Sequence, residues 1–145
     1  MANTLFTEGR KLLLNGGVDW DGATPYKAVM VNTSGTNAWA PDMVIANMAS
    51  IASNSFRTSA VEITTRTITS DGAADGDDVT FTAVTASADP IEALIIYKEG
   101  NNAAISDAAN IPLVYIDSAS GLSITPNGGN IIVVWDSGIN RIFRP

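Results

Sequence analysis

The sequence predicts an all-β, mainly antiparallel domain, a β-sandwich or distorted barrel of about seven to eight strands with one or two short helices near the N-terminus. Three observations predict it. Apolar and polar residues alternate with a period of two, as in Val61, Glu62, Ile63, Thr64 and again in Val79-Thr80-Phe81-Thr82-Ala83. Runs such as Ala93-Leu94-Ile95-Ile96-Tyr97 and Ile131 to Trp135 are apolar throughout and have the length of strands. Clusters of Gly, Asn, Asp and Ser separate these runs at short intervals.

The elements follow in order. A short helix is expected over 3–15, with Asn3 or Thr4 as its cap, Glu8 early, Arg10 and Lys11 late, and Gly16-Gly17 as its stop. Leu5 with Leu12 and Phe6 with Leu13 give it an apolar face, while Gly9 weakens its middle. A strand is expected over Tyr26 to Asn32. Pro41 suits the start of a second helix, with Val44, Ile45, Met48 and Ile51 on one face. The threonine-rich stretch to Thr69 is one long strand or two, with a bulge near Thr64-Thr65 where the alternation slips. SDGAADGDD is a turn, and Val79 to Ala83 is a strand.

The run inside Ile91 to Lys98 is apolar on both faces, which predicts a central strand. Ile111 to Asp117 is a strand whose Pro112 belongs at its start or on an edge. Leu122 to Thr125 and Ile131 to Trp135 read as a hairpin closed by Asn127-Gly128. Ile139 to Phe143 is a last short strand. At 145 residues without linker, repeat or low-complexity tract, the chain is expected to form one domain, 1–145, with 1–25 as an N-terminal helix and arm.

Composition excludes several chemistries. There is no cysteine, hence no disulfide framework and no thiol nucleophile. There is no histidine, which removes the commonest general base, the usual nitrogen metal ligand and any Ser-His-Asp triad. The balance of 15 acidic to 8 basic residues, net charge -7, argues against nucleic acid as a partner, since phosphate neutralisation needs clustered Lys and Arg. No apolar run approaches the roughly 20 residues of a membrane span, and the N-terminus lacks the order of a signal peptide. A protein made in a cytoplasm-like compartment is expected.

The remaining constellations are thin. Asp71, Asp75 and Asp77 are the metal candidates, in an acidic turn that fits a calcium loop poorly. Counted from Asp71, the third position is Ala73 and the twelfth is Thr82, where carboxylates belong. A solvated turn between strands explains the same residues. Asp19 and Asp21 flank Trp20, as a carboxylate hydrolase or sugar site would have them. Trp20 and Trp39 lie in expected loops, where an aromatic either stacks on a sugar, fills a partner's pocket or plugs its loop onto the sheet. Ser-Lys chemistry with Lys27 or Lys98 has no supporting spacing. No cofactor is expected, and no catalytic residue is assigned.

The order of blocks resembles a group of small virion proteins of tailed bacteriophages. The blocks are TLFTEGRKLLLNGGVDW, YKAVMVN, ITTRTITSDGAADGDDVTFTAV, IEALIIYKEG, IPLVYID and ITPNGGNIIVVWDSGINRIF, covering nearly the whole chain. The resemblance implies a non-enzymatic structural role, first that of a capsid decoration (cement) protein. Such a protein binds the major capsid protein on the outer head surface, commonly as a homotrimer. Collar, tail and receptor-binding roles, and outside that class a carbohydrate-binding module, are the alternatives. For a docking role the expected interface is Leu5, Phe6, Leu13, Trp20, Trp39, Ile142 and Phe143. Two plainer readings stand beside it. The N-terminal helix caps one end of the sandwich. The C-terminal Ile139, Ile142 and Phe143 form a last strand in their own sheet, where the docking reading has them add to a neighbour's.

Overall fold

The computed structural model describes residues 4–34, 45–101 and 104–145. The fold is all-β and mainly antiparallel, with nine strands and one α-helix among those residues, and no closed barrel. The five-stranded sheet runs in the order β1 (Thr4–Leu5), β8 (Ile111–Ile116), β7 (Ala93–Lys98), β2 (Tyr26–Val31), β3 (Val61–Glu62). Two ribbons accompany it: β4 (Thr67–Ile68) with β5 (Ala74–Asp75), and β6 (Val79–Phe81) with β9 (Ile131–Val133).

The centre of the main sheet is as expected. β7 lies between β2 and β8, and its register pairs Ile95 with Val29 on one side and with Tyr115 on the other. Both faces of β7 are covered, because the sheet has a core on each side. Ala28, Met30, Leu94, Ile96, Val114 and Ile116 point to the side of the ribbons, where Val79, Phe81, Ile63, Trp20 and Ile142 complete one apolar cluster. Val29, Val31, Ile95, Tyr97 and Tyr115 point the other way, onto Phe6, Ile45, Met48 and Ile51. Pro112 occupies the second position of β8, beside a register shift between Ile96 and Tyr97 and beyond the reach of two-residue β1. The strand tolerates it there because no ladder partner on that side needs its missing N–H.

Several expectations are corrected. The helix α1 spans Thr7–Leu14, and its cap position is Phe6, without a side-chain cap. Thr4 is instead in β1, opposite Tyr115. The N-terminal segment gains a strand pairing and buries Phe6, which outweighs one capping hydrogen bond. The end of α1 follows the sequence signal: Gly17 donates to Leu12 O at 2.7 Å and Gly16, at φ +73°, donates to Leu13 O at 3.4 Å, a Schellman closure. Around Ile45, Met48 and Ile51 no α-helix forms. Met48–Ser50 is a single 3-10 turn, and the three side chains are buried by the path of an irregular segment. Pro41 and Val44 lie outside the described residues. The threonine-rich stretch is two strands, β3 and β4, broken at Thr65, whose φ is +49°.

The largest correction concerns the C-terminal hairpin. Asn127-Gly128 does make a turn, but β9 pairs with β6, Val133 opposite Val79, and not with Leu122 to Thr125. Ile124 makes a lone bridge to Ile91. A two-residue type I′ turn needs positive φ at both central residues, and only Gly128 has it. The arms therefore diverge, and each pairs with a different part of the sandwich. The last segment is no strand either: it makes one bridge, Phe143 to Ala74.

Candidate functional site

Most residues expected to face a partner are in the core. Phe6 is fully buried and meets the Tyr115 ring edge-on at 6.1 Å. Trp20 turns inward: its Nε1 donates to Asp75 O at 2.9 Å, and its ring lies 4.8 Å from Tyr26 and 5.3 Å from Phe143. Ile142 and Phe143 are buried on the same cluster and bond their backbone to Ala74 of this chain's own β5. The C-terminal segment thus pairs with β5 of its own chain. Leu5 and Leu13 are half-buried, Leu5 against the ribbon-side core. Trp39 lies outside the described residues. The physical reason is common to these corrections: a large aromatic or aliphatic side chain gains about 2 kcal/mol from burial, and each found a place on its own sheet.

The inward turn of Trp20 also dissolves the sugar-site reading of Asp19 and Asp21. Both acids are exposed, but the ring between them is covered. Arg66 holds this loop. Its guanidinium donates to Trp20 O at 2.8 Å, Gly22 O at 3.0 Å and Thr24 O at 3.1 Å, and lies 5.7 Å from the centre of the Tyr26 ring. The acidic turn is dispersed in the same way. Asp71 sits in the β4–β5 turn, while Asp75 accepts from Gly76 N and faces Arg141 Nη1 at 3.6 Å. Asp77 accepts from the Thr64 and Thr65 hydroxyls. Among the described residues no group of three or more Asp, Glu, His or Cys is placed to hold a metal. These carboxylates pin turns.

Buried ionisable groups are structural as well. Burial pushes the Tyr97 and Tyr115 hydroxyls up to about 12, with the charge of Glu99 adding for Tyr97 and those of Asp117 and Glu92 for Tyr115. Burial likewise raises Tyr26. Glu99, almost wholly buried, is neutralised by Lys27 Nζ at 2.6 Å.

What the fold leaves exposed is a different set, which includes Leu14 of α1 and Ile68 of β4 as well as three residues near the C-terminus. Ile132 is 63% exposed, Val134 71% and Ile139 63%. Ile132 and Val134 share a face because they are two apart on a strand and its extension. The edge of β9 away from β6 has no partner strand among the described residues. Beside it opens a groove of about 500 Å³, lined by Leu122, Ile124, Ile131, Val133 and Trp135, with Asp136 and Arg141 also on its wall. The stretch 118–135 carries no charged residue, in a chain of net charge -7. Edge strands are commonly protected by shortness, lysine, proline or a bulge, and of these β9 has only its three-residue length. The signal was present in the sequence as the apolar run NIIVVW. It resembles that of a central strand, and nothing local says that one side of this strand stays open. No protein family, curated protein or solved structure matches the chain.

Proposed function

We propose that this chain is a non-enzymatic structural protein of a tailed-phage virion, a decoration protein that binds the outside of the head and braces neighbouring capsomers. Its partners on this reading are the major capsid protein and its own copies in a homotrimer. One observation carries the docking part: Ile132 and Val134 present an exposed apolar face on a strand with one edge unpaired among the described residues, in a molecule of net charge -7, and Ile139 is exposed a few residues further on. An apolar face of this kind favours burial against a protein surface. A free strand edge adds backbone hydrogen bonding to such a contact. A protein that binds only the assembled lattice stabilises that lattice by mass action, and needs buried area and symmetry but no reactive group.

The test is direct. The purified protein is mixed with expanded, undecorated heads and imaged by cryo-electron microscopy. Density over the three-fold positions with β9 and Ile139 toward the shell is the expected result. Bare heads overturn the reading, and binding to tails, collars or a glycan array would replace it.

A further inference from the structure

We propose that Asn15-Gly16 is a site of self-modification in the folded protein, closing to a succinimide that opens to aspartate and isoaspartate, while the fold holds the second Asn-Gly pair, Asn127-Gly128, inert. The chain contains two Asn-Gly-Gly triplets, at 15–17 and 127–129. In each the asparagine Oδ1 accepts from the second glycine, at 3.1 Å from Gly17 N and 3.0 Å from Gly129 N. Their side-chain geometry is therefore alike, and their backbone anchoring is not.

The reaction needs the Gly16 amide nitrogen to reach Asn15 Cγ. That nitrogen bonds to Cγ and gives up its proton, the Cγ–Nδ2 bond breaks, and Nδ2 leaves as ammonia carrying the proton. Solvent water then adds to either ring carbonyl. One opening yields aspartate and the other yields isoaspartate, with the backbone routed through Cβ. Glycine in the second position offers no side chain to obstruct the approach.

At 15–17 the nitrogen is held weakly. Gly16 N reaches Leu13 O at 3.4 Å, a long hydrogen bond at the frayable end of an eight-residue helix. Asn15 and Gly16 are exposed, and the neighbouring Leu14 is 90% exposed, so opening this turn breaks little packing. Lys98 Nζ holds Gly17 O at 2.6 Å and Gly17 N holds Leu12 O at 2.7 Å, so the residue beyond is fixed while the Gly16 nitrogen itself has only its 3.4 Å bond to break. At 127–129 the segment is stitched across the sandwich. Gly128 N donates to Val84 O and Val84 N to Gly129 O, both at 2.9 Å, Ser87 N donates to Pro126 O at 3.2 Å, and Ala83 N donates to Asn130 Oδ1 at 2.9 Å. Turning Gly128 N toward Asn127 would break this set together. The product places one more negative charge at a helix C-terminus, where the helix dipole disfavours it.

Trypsin separates the two triplets, placing Asn15 in peptide 12–27 and Asn127 in peptide 99–141. The full chain is incubated folded in mildly alkaline buffer, digested and mapped by mass spectrometry with isoaspartate detection. Peptide 12–27 is expected to gain about one mass unit, localised to residue 15, at least about tenfold faster than residue 127 reacts, as local opening controls each site. In denaturing urea the two rates converge. The variant Asn15→Gln leaves peptide 12–27 without this mass gain. Equal rates in the folded protein, a faster reaction at Asn127, a difference that persists in urea, or a mass gain in peptide 12–27 of the variant would each overturn the proposal.

Discussion

Gly9 of α1 rests directly on the backbone of Leu113 in β8: a Cβ at Gly9 would stand 2.5 Å from Leu113 O and 2.9 Å from Leu113 Cα. The residue that weakens the helix as an isolated segment is the one that lets it dock. Backbone atoms cannot yield as the end of a flexible side chain can. Gly9→Ala is expected to gain about 1 kcal/mol of helix propensity and lose more to the forced separation, for a net destabilisation of about 1–2 kcal/mol. Urea denaturation measures this, and a variant as stable as the parent would show that α1 can lift off β8 without cost.

Phe143, two residues from the chain end, is packed edge-on against Trp20 at 5.3 Å. Phe143→Ala is expected to cost about 3 kcal/mol, as for other buried aromatics. Tryptophan emission should shift to the red as Trp20 gains water. An unchanged spectrum with unchanged stability would place this segment outside the core.

Arg66 supplies donors to three carbonyls of one loop, those of Trp20, Gly22 and Thr24, and to Ile63 O, with a fifth contact to Glu62. A lysine has three donors in a different geometry and leaves part of this set unmade. Arg66→Lys is therefore expected to destabilise by about 2 kcal/mol despite the retained charge. Amide exchange over 20–26 should accelerate selectively. Uniform acceleration across the chain would mean that the clamp is not local.

The tyrosines set the alkaline limit. All three are raised, Tyr97 and Tyr115 to about 12, against an ordinary value of 10.0. The folded state then holds these protons more tightly than the unfolded chain. Stability they contribute is complete below pH 10 and is lost as pH rises from there toward 12. Tyrosinate absorbance is expected to stay flat where free tyrosine titrates and to rise together with the loss of far-ultraviolet β signal. Ionisation of a tyrosine near its ordinary value with the fold intact would contradict the buried placement.

On the proposed docking face, Ile132→Lys and Val134→Lys exchange solvent-exposed apolar groups for charge. Thermal midpoints should stay close to that of the parent, since surface changes of this kind usually fall within about 0.5 kcal/mol. Binding to undecorated heads should fall by at least about tenfold. Undiminished binding would move the contact elsewhere on the molecule.

Much of the architecture was legible in the residues. The both-faces-apolar run within Ala93–Lys98 names the central strand, and the Thr64-Thr65 slip marks the break between β3 and β4. Gly16 announces the end of α1 because only a residue at ease with positive φ closes a helix that way. The candidate interface was not legible. Phe6, Trp20, Ile142 and Phe143 are apolar whether they face a partner or their own core, and side-chain type is silent on which. The pairing of β9 was hidden for a related reason, since Asn127-Gly128 marks a turn without stating that its arms continue side by side.

Local chemistry, then, was settled by the sequence alone. Period-two alternation makes strands, glycine at positive φ makes turns, and the lack of histidine and cysteine removes their chemistry, all of it from near neighbours or composition. The tertiary structure decided what depends on distance along the chain: that β9 joins β6, that Gly9 is a seat for α1, and that Ile132, Val134 and Ile139 are among the large apolar residues left outside. Each of these turns on competition among many apolar segments for a limited sheet surface. That competition is resolved by the global arrangement with the most burial, which no short window of sequence contains.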